Sequence, residues 1–390
     1  MDYFINQSIH NDPKFSEFEN LILSNRIDSQ LIVAANKFQF TGNGNAYYAP
    51  IINGYGYDAA ITNGQQVSAL VALNKQIYNK RNLSLQFKSL QLKSDSLNNS
   101  TVLYKQDLKR SIIGQYIQTY SVQLQLNFND QLVELLSKEE KILKILTGKN
   151  IYKQADYLSF LVTLQQQQLN RSQLFVQYKN DYATLNYLSG IMDTTTQTLS
   201  EPTLEMVVYD QLAPSPFLRN FELDSLRLHN ERLTSEIQYR PQVSLFADAG
   251  YQSTLMITPL KNFGYNVGLN LSIPIYDGNQ KRLQMSKLDI QERTRQNQRD
   301  YFFRRYQQQI KLLLQQLHEL ENLAAPINKQ IAYLQTLINV NGKLLETGDI
   351  RMTDYILALN NYITAKNLLV QNQIAKYQVI QQLNYWNLNL

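Results

Sequence analysis

The sequence predicts an α+β chain built from a strand–strand–helix–helix unit that occurs twice. Three observations predict it. Period-two alternation is confined to two places, and each is followed by a very long run with helical spacing. The stretch Thr347-Gly348-Asp349-Ile350-Arg351-Met352-Thr353-Asp354-Tyr355 has an earlier counterpart, Thr147-Gly148 through Asp156-Tyr157, and repeated landmarks point to a duplicated architecture. Gly is only 14 and Pro only 9 in 390 residues, which suits long uninterrupted elements better than several compact domains.

Asp12-Pro13 opens a helix expected over 12–36, with Asp as cap, Pro at the first position and Phe15, Phe18, Leu21 and Ile22 along it. After Lys37 the period changes. Phe38 and Phe40 alternate with Gln39 and Thr41, giving a strand over 38–48. After Pro50, Tyr55, Tyr57, Ala59 and Ile61 alternate with Gly56, Asp58, Ala60 and Thr62, giving a second strand over 52–62, broken by Asn63-Gly64. From Gln65 to Leu146 there is no proline and a single glycine, Gly114, so one helix is expected over 65–146, on the order of 120 Å long. Leu132, Leu136, Leu143 and Leu146 recur along it at helix-packing steps. A shorter helix follows over 156–188, with Gln165–Gln168 read as a solvated face.

Residues 189–215 differ. Thr194-Thr195-Thr196, Pro202 and Pro214 punctuate them, and Leu204–Tyr209 is a candidate short strand. They read as a linker between a first repeat, 1–188, and a second, 216–390. Ser215-Pro216 starts the second repeat as Asp12-Pro13 starts the first, with a helix over 217–239. Strands are expected over 242–252 and 263–274. In the latter, Phe263, Tyr265, Val267, Leu269, Leu271 and Ile273 alternate without a break with Gly264, Asn266, Gly268, Asn270, Ser272 and Pro274. A long helix over 279–346 carries Ile310, Leu317, Ala324, Ile331 and Ile338 at seven-residue steps, a coiled-coil seam in which Pro326 should introduce a kink. A last helix runs over 353–386. Between these helices Gly348 is placed to end one and Thr353 or Asp354 to cap the next. The first tip reads as two residues longer than the second.

Bulk properties exclude several functions. There is no Cys, hence no disulfide or thiolate metal site. The 37 basic and 32 acidic residues give +5 without a basic cluster suited to nucleic acid. His10, His229 and His318 are far apart, and no Gly-rich phosphate loop, HExxH pattern or nucleophile elbow is present. The expectation is therefore a protein that is not an enzyme and takes no cofactor. No apolar run approaches the ~18–20 residues of a membrane-spanning helix. The N-terminus lacks a signal-peptide pattern, so either the protein is cytosolic or a signal was removed before residue 1.

The strands of about 10–12 residues are long enough to cross a bilayer at a tilt, with one apolar, aromatic face and one small or polar face. A soluble sandwich with one buried face fits the strands alone equally well. In lipid, open sheet edges are not tolerated, and four strands fall short of the ~8 that close a barrel, so chains would have to share one. The very long helices favour that reading, because a small sandwich gives them nothing to do. On it Phe263, Tyr265, Val267, Leu269 and Leu271, with Tyr55 and Tyr57, face lipid.

The whole chain resembles the TolC-like outer-membrane efflux proteins. The resemblance rests on the duplicated layout, on Leu271-Ser272-Ile273-Pro274-Ile275-Tyr276-Asp277-Gly278 entering the long helix, and on Gly348 followed by Asp354-Tyr355-Ile356-Leu357-Ala358 at the tip. It implies a homotrimer in the Gram-negative outer membrane, with the signal peptide removed. Four transmembrane strands per chain would form a twelve-stranded β-barrel, continued by a long periplasmic α-helical barrel with a belt that includes 189–215. It implies a passive exit channel for efflux or type I secretion, whose tips dock a periplasmic adaptor serving an inner-membrane transporter. Docking residues would include Thr147, Gly148, Asp156, Tyr157, Thr347, Gly348 and Tyr355. The resemblance puts Asp354 on a pore-lining acidic position. Leu357 falls on a second acidic position, Ile350 (with Arg351 adjacent) on a basic gate position, and Leu345 on an aromatic one, so the family's closing network is not reproduced. The competing reading is a soluble coiled-coil scaffold, which explains the heptads but not the amphipathic strands.

Overall fold

The computed structural model describes residues 1–62, 64–77, 80–207, 215–255 and 259–387. The element order is α1 (Asp2–Asn11), α2 (Pro13–Ala35), β1 (Gln39–Tyr48), α3 (Ala59–Thr62), β2 (Gln65–Ile77), α4 (Lys80–Gly148) and α5 (Gln154–Leu188). Then follow α6 (Pro216–Gln238), β3 (Gln242–Ser253), a 3-10 turn (Pro259–Lys261), β4 (Phe263–Ser272), α7 (Gln280–Thr347) and α8 (Met352–Trp386). The duplication is visible in element lengths. α2 and α6 have 23 residues each, α4 and α7 have 69 and 68, and α5 and α8 have 35 each.

The compact units are not the two repeats; each draws on both. One comprises Glu17–Asn99 and Arg219–Arg299, the other Met1–Ser16, Ser100–Leu218 and Asp300–Leu390.

The first of these units holds the sheet, in the order β1-β2-β3-β4, with every neighbouring pair antiparallel. Its register aligns side chains of one chemistry across all four strands. Phe40 lies opposite Leu73, Gly42 opposite Val71 and Ala46 opposite Val67. Leu73 lies opposite Ala247, Val71 opposite Ala249 and Ala69 opposite Tyr251. Leu245 lies opposite Leu269, Ala247 opposite Val267, Ala249 opposite Tyr265 and Tyr251 opposite Phe263. Because side chains alternate faces along a strand, this builds one apolar face. The opposite face carries Thr41, Asn43 and Asn45, then Ser68 and Ala72, then Asp248, then Asn266 and Asn270. Gly268 sits on this second face beneath the Phe246 ring, which a Cβ would approach to 2.4 Å. β1 and β4 are the outer strands, each paired on one side. The helical parts of this unit pack through Leu85, Leu92, Leu223, Leu228 and Leu288. Asn25 of α2 and Asn230 of α6 each donate to an α4 carbonyl, Leu90 at 2.6 Å and Leu85 at 3.1 Å, and Arg232 pairs with Asp289 at 2.8 Å.

The second strand is where sequence and structure part. Residues 52–62 are not a strand. Asn53 and Gly54 both have positive φ and turn the chain, closing a bridge between Ile52 and Tyr55, and α3 follows. Tyr55 and Tyr57 are exposed in this loop rather than on a strand. The strand is Gln65–Ile77, taken from the start of the expected helix, and α4 begins only at Lys80. Its alternation is blurred by Leu70 and Ala72, apolar residues on the otherwise polar face. Of the Asn63-Gly64 break, Gly64 has φ +69 and Asn63 lies outside the described residues. The strand expected to reach 274 ends at Ser272.

In the other unit α4 with α5, and α7 with α8, form two helical hairpins. One core gathers Leu132, Leu136, Leu143 and Leu146 of α4 with Phe160 and Leu164 of α5, Ile338 and Leu345 of α7, and Met352, Tyr355 and Leu359 of α8. A second gathers Ile112, Tyr116, Ile117 and Tyr120 with Tyr178, Tyr182 and Leu185. Phe4 and Ile5 of α1, a helix the sequence reading did not foresee, insert into it. A third joins Ile310, Leu313 and Leu317 to Val379, Ile380 and Leu383. α7 remains helical through Pro326. Gln167, taken as part of a solvated face, is buried and accepts from Asn129 at 3.1 Å.

The described part of the linker, 189–207 and Ser215, is irregular, including Leu204–Val207; residues 208 and 209 of the expected short strand lie outside the described residues. Side chains of the helices fix it. Gln123 donates through Nε2 to the Leu199 carbonyl at 2.9 Å and accepts the Leu199 N–H at 2.7 Å. Tyr116 donates to the Ser200 carbonyl at 2.8 Å. Asn186 and Asn384, equivalent in the two repeats, both hold this coil. Asn186 donates to Asp193 O, and Asn384 donates to Glu205 O at 2.8 Å while accepting from Val207 N–H at 2.9 Å.

Candidate functional site

The two tips end by the same backbone device. At the second, Gly348 has φ +82; its N–H donates to Leu345 O at 3.3 Å and the Asp349 N–H to Leu344 O at 2.9 Å. This is a Schellman ending, with the left-handed residue satisfying carbonyls the helix leaves free. At the first tip the left-handed residue is Asn150, φ +62, with Asn150 N–H to Thr147 O at 3.0 Å and Ile151 N–H to Leu146 O at 3.0 Å. The counterpart of Gly348 is therefore Asn150, not Gly148, and the tips have equal length. The apparent two-residue excess came from matching the glycines. Asn is the residue that most readily replaces Gly at left-handed φ.

The next helices begin on Lys153 and Arg351, whose extended φ,ψ makes them the N-caps. Asp156 and Asp354 are then third in their helices, so neither Thr353 nor Asp354 is the cap. The Lys153 N–H donates to Asp156 Oδ2 at 3.4 Å. Asp354 Oδ2 instead accepts from Arg351 Nε at 3.0 Å, an exposed ion pair within the tip. Exposed pairs of this kind contribute only about 0.2–1 kcal/mol. A carboxylate in a first turn is also favoured by the helix dipole.

The tips touch each other. Tyr152, buried, donates to Ile350 O at 3.0 Å. A Cβ on Gly348 would meet Ile151 Cγ2 at 2.4 Å. Tyr157 donates to Glu140 Oε1 at 2.6 Å, and that bond holds its phenol above the usual range. Tyr152, Ile151 and Asn150 escaped the sequence reading, although Ile151 and Tyr152 are apolar and aromatic residues placed at a turn.

The expected gate and docking residues divide by burial. Leu345 and Tyr355 are both 0% exposed, and Ile350 packs half-buried against the same core. Leu345 and Tyr355 thus lie inside the helix packing, whereas Ile350 keeps part of its surface open. Leu345 is the next step of the seven-residue series through Ile331 and Ile338, so the seam claims it. Burial raises the Tyr355 phenol, with the Glu139 charge adding to it. Arg351 and Leu357 are exposed and Asp354 half-buried; Gly148 and Thr347 are exposed, and Thr147, Asp156, Tyr157 and Gly348 are half-buried.

On the sheet, the apolar residues of β4 (Phe263, Tyr265, Val267, Leu269 and Leu271) are all exposed, Leu269 at 69%. Phe40 and Tyr48 on β1 and Val71 on β2 are exposed on the same face. Lys75, at one end of it, reaches over the Phe38 ring at 5.6 Å. Exposed apolar surface of this extent marks contact with a protein partner or a membrane.

The four-stranded sheet, the paired helical hairpins and the duplication together make this the fold of the TolC-like outer-membrane channels. Among solved structures it is similar to the outer membrane protein VceC of Vibrio cholerae, with TM-score 0.79 and 10% identity over 99% of this chain and 95% of that one. CusC, described in terms of transmembrane channel formation, gives TM-score 0.83 and 11% identity over 99% and 91%. The CmeC outer membrane channel of Campylobacter jejuni gives 0.77 and 10% over 99% and 85%. No protein-family model matches the sequence, and no curated protein matches it significantly.

Proposed function

We propose that the chain is the outer-membrane exit channel of a tripartite efflux or type I secretion system, a passive conduit acting as a homotrimer. The observation that carries this reading is the sheet register. β1, β2 and β4 present exposed apolar residues on one face, which the half-buried Val243, Leu245 and Tyr251 of β3 continue; the other face is small or polar apart from Leu70 and Phe246, and the outer strands β1 and β4 are each paired on one side. A sheet with lipid on one side and water on the other needs both features, and it needs its edges paired. Three copies joined β1 to β4 make a twelve-stranded barrel. The lipid-facing set is then Phe263, Tyr265, Val267, Leu269 and Leu271 with Phe40, Val71 and Leu245, and the lumen carries Asn43, Asp248 and Asn270.

The hairpin tips face a periplasmic adaptor that serves an inner-membrane transporter. Solvent-accessible tip residues support this, among them Ile151, Arg351, Thr347 and Leu357. Asp354 lines the entrance, where three symmetry copies would form a ring of carboxylates, each paired with its own Arg351. Energy for transport comes from the transporter.

The test is fractionation and reconstitution. The protein should leave the outer membrane only with detergent, run as a heat-modifiable trimer and give single-channel currents in planar bilayers. A detergent-free soluble monomer would sink the reading and return the chain to the coiled-coil scaffold class.

A further inference from the structure

The tip core contains one carboxylate in a seam of leucines. Glu139 takes the heptad position of α4 between Leu136 and Leu143, both fully buried. Its Oε2 is shut off from solvent and has no hydrogen-bond partner, and the same is true of the hydroxyl of Tyr355 on α8. From α7, Gly342 lies next to it, and a Cβ there would be in ordinary contact with Glu139 Oε1 at 3.6 Å. Of the charged and titratable groups around it, Glu346 on α7 repels it and Tyr355 on α8 feels its charge. On its own helix, Lys138 is engaged with Glu134 at 2.8 Å, and Glu140 is held by Tyr157 of α5. Among the described residues, no cation lowers its carboxyl. An ionised carboxylate without a partner is costly in such a place.

We propose that Glu139 is a proton-operated latch in the tip core: neutral, it sits in the seam beside Tyr355, and its ionisation loosens α8 from α4. Burial, followed by the Glu346 charge, raises its carboxyl above the ordinary carboxylate value. The folded chain therefore holds the proton more tightly than the unfolded one. Stability from this group is complete below the ordinary value and falls away as pH rises through the raised folded value. That loosening widens a channel entrance rests on the proposed function; the latch itself does not.

The experiment compares the full chain in detergent with Glu139→Gln, which keeps the shape and removes the titration, between pH 5 and pH 8. The wild-type thermal midpoint should fall relative to the variant by about 2–4 °C across that range. Should Glu139→Gln not fold, Glu139→Leu supplies the same comparison with an apolar seam. In planar bilayers the wild-type current should rise with pH relative to Glu139→Gln. A midpoint difference that is flat with pH overturns the latch. A protein that forms no channel yet keeps the pH-dependent midpoint difference supports the latch and removes the channel reading instead.

Discussion

The Tyr152 hydroxyl donates to the Ile350 carbonyl at 3.0 Å, so the tip of one helical hairpin is held by a side chain from the other. Tyr152 lies after the left-handed Asn150 and Ile350 after the left-handed Gly348. Equal tip lengths put these residues at matching places, and the bond joins the two repeats where both reverse direction. Tyr152→Phe keeps the ring in the core and removes the donor. It should cost about 0.5–1.5 kcal/mol, read as a lowered unfolding midpoint, and should increase proteolysis at 349–351. An unchanged midpoint would mean that water replaces the hydroxyl at no cost.

The two tip glycines should respond in opposite ways. Gly348→Ala puts a Cβ at positive φ and against Ile151, and should destabilise by about 1–3 kcal/mol. Gly148 ends α4 with nothing within 4 Å of an added Cβ, so Gly148→Ala should be neutral or stabilising by up to about 1 kcal/mol. Combining Gly348→Ala with Ile151→Ala should cost less than the sum of the single changes, because the clash is removed once. Thermal or denaturant midpoints of the four variants decide it.

The sheet faces are distinguished by neighbours one residue apart. Leu269→Arg places a charge on the apolar face, where a mid-bilayer charge costs roughly 2–4 kcal/mol, and should reduce the amount of heat-modifiable trimer. Asn270→Arg, on the other face, should assemble normally and shift ion selectivity. Equal assembly of the two would remove lipid from the apolar face. Asp354→Ala, in the same recordings, should lower cation preference while leaving assembly intact.

How much of this was legible depends on how cleanly each segment obeys one period. β4 alternates without exception over Phe263–Ser272, and it was read to within two residues. β2 was lost because Leu70 and Ala72 break its alternation while the loop before it, with Tyr55, Gly56 and Tyr57, imitates one. The tips were misaligned because glycine is the usual left-handed residue and Gly148 lies only two positions from Asn150, which performs that role. The burial of Leu345 was legible, since the seven-residue series through Ile338 reaches it. The tie between Tyr152 and Ile350 joins residues far apart in sequence, and no local pattern announces such a contact.

The linker offers a further test. Gln123→Ala removes both bonds to Leu199 and the contact to Tyr178, 3.0 Å away. The loss should be about 1–3 kcal/mol, since Leu199 N–H is left buried without a partner. Limited proteolysis should find new cleavage between 191 and 204, with the hairpins intact.

Asn384 gives the linker a dependence on time as well as on contact. Its amide holds Glu205 and Val207, and Asn387 holds the Val207 carbonyl at 2.8 Å. Both asparagines come 177 to 180 residues later in the sequence than the groups they hold. Residues 205–207 are made long before the groups that fasten them, so this segment can settle only after α8 has emerged and folded back. A deletion or tag that disturbs the final turn of that helix would be felt first at a segment near the middle of the sequence.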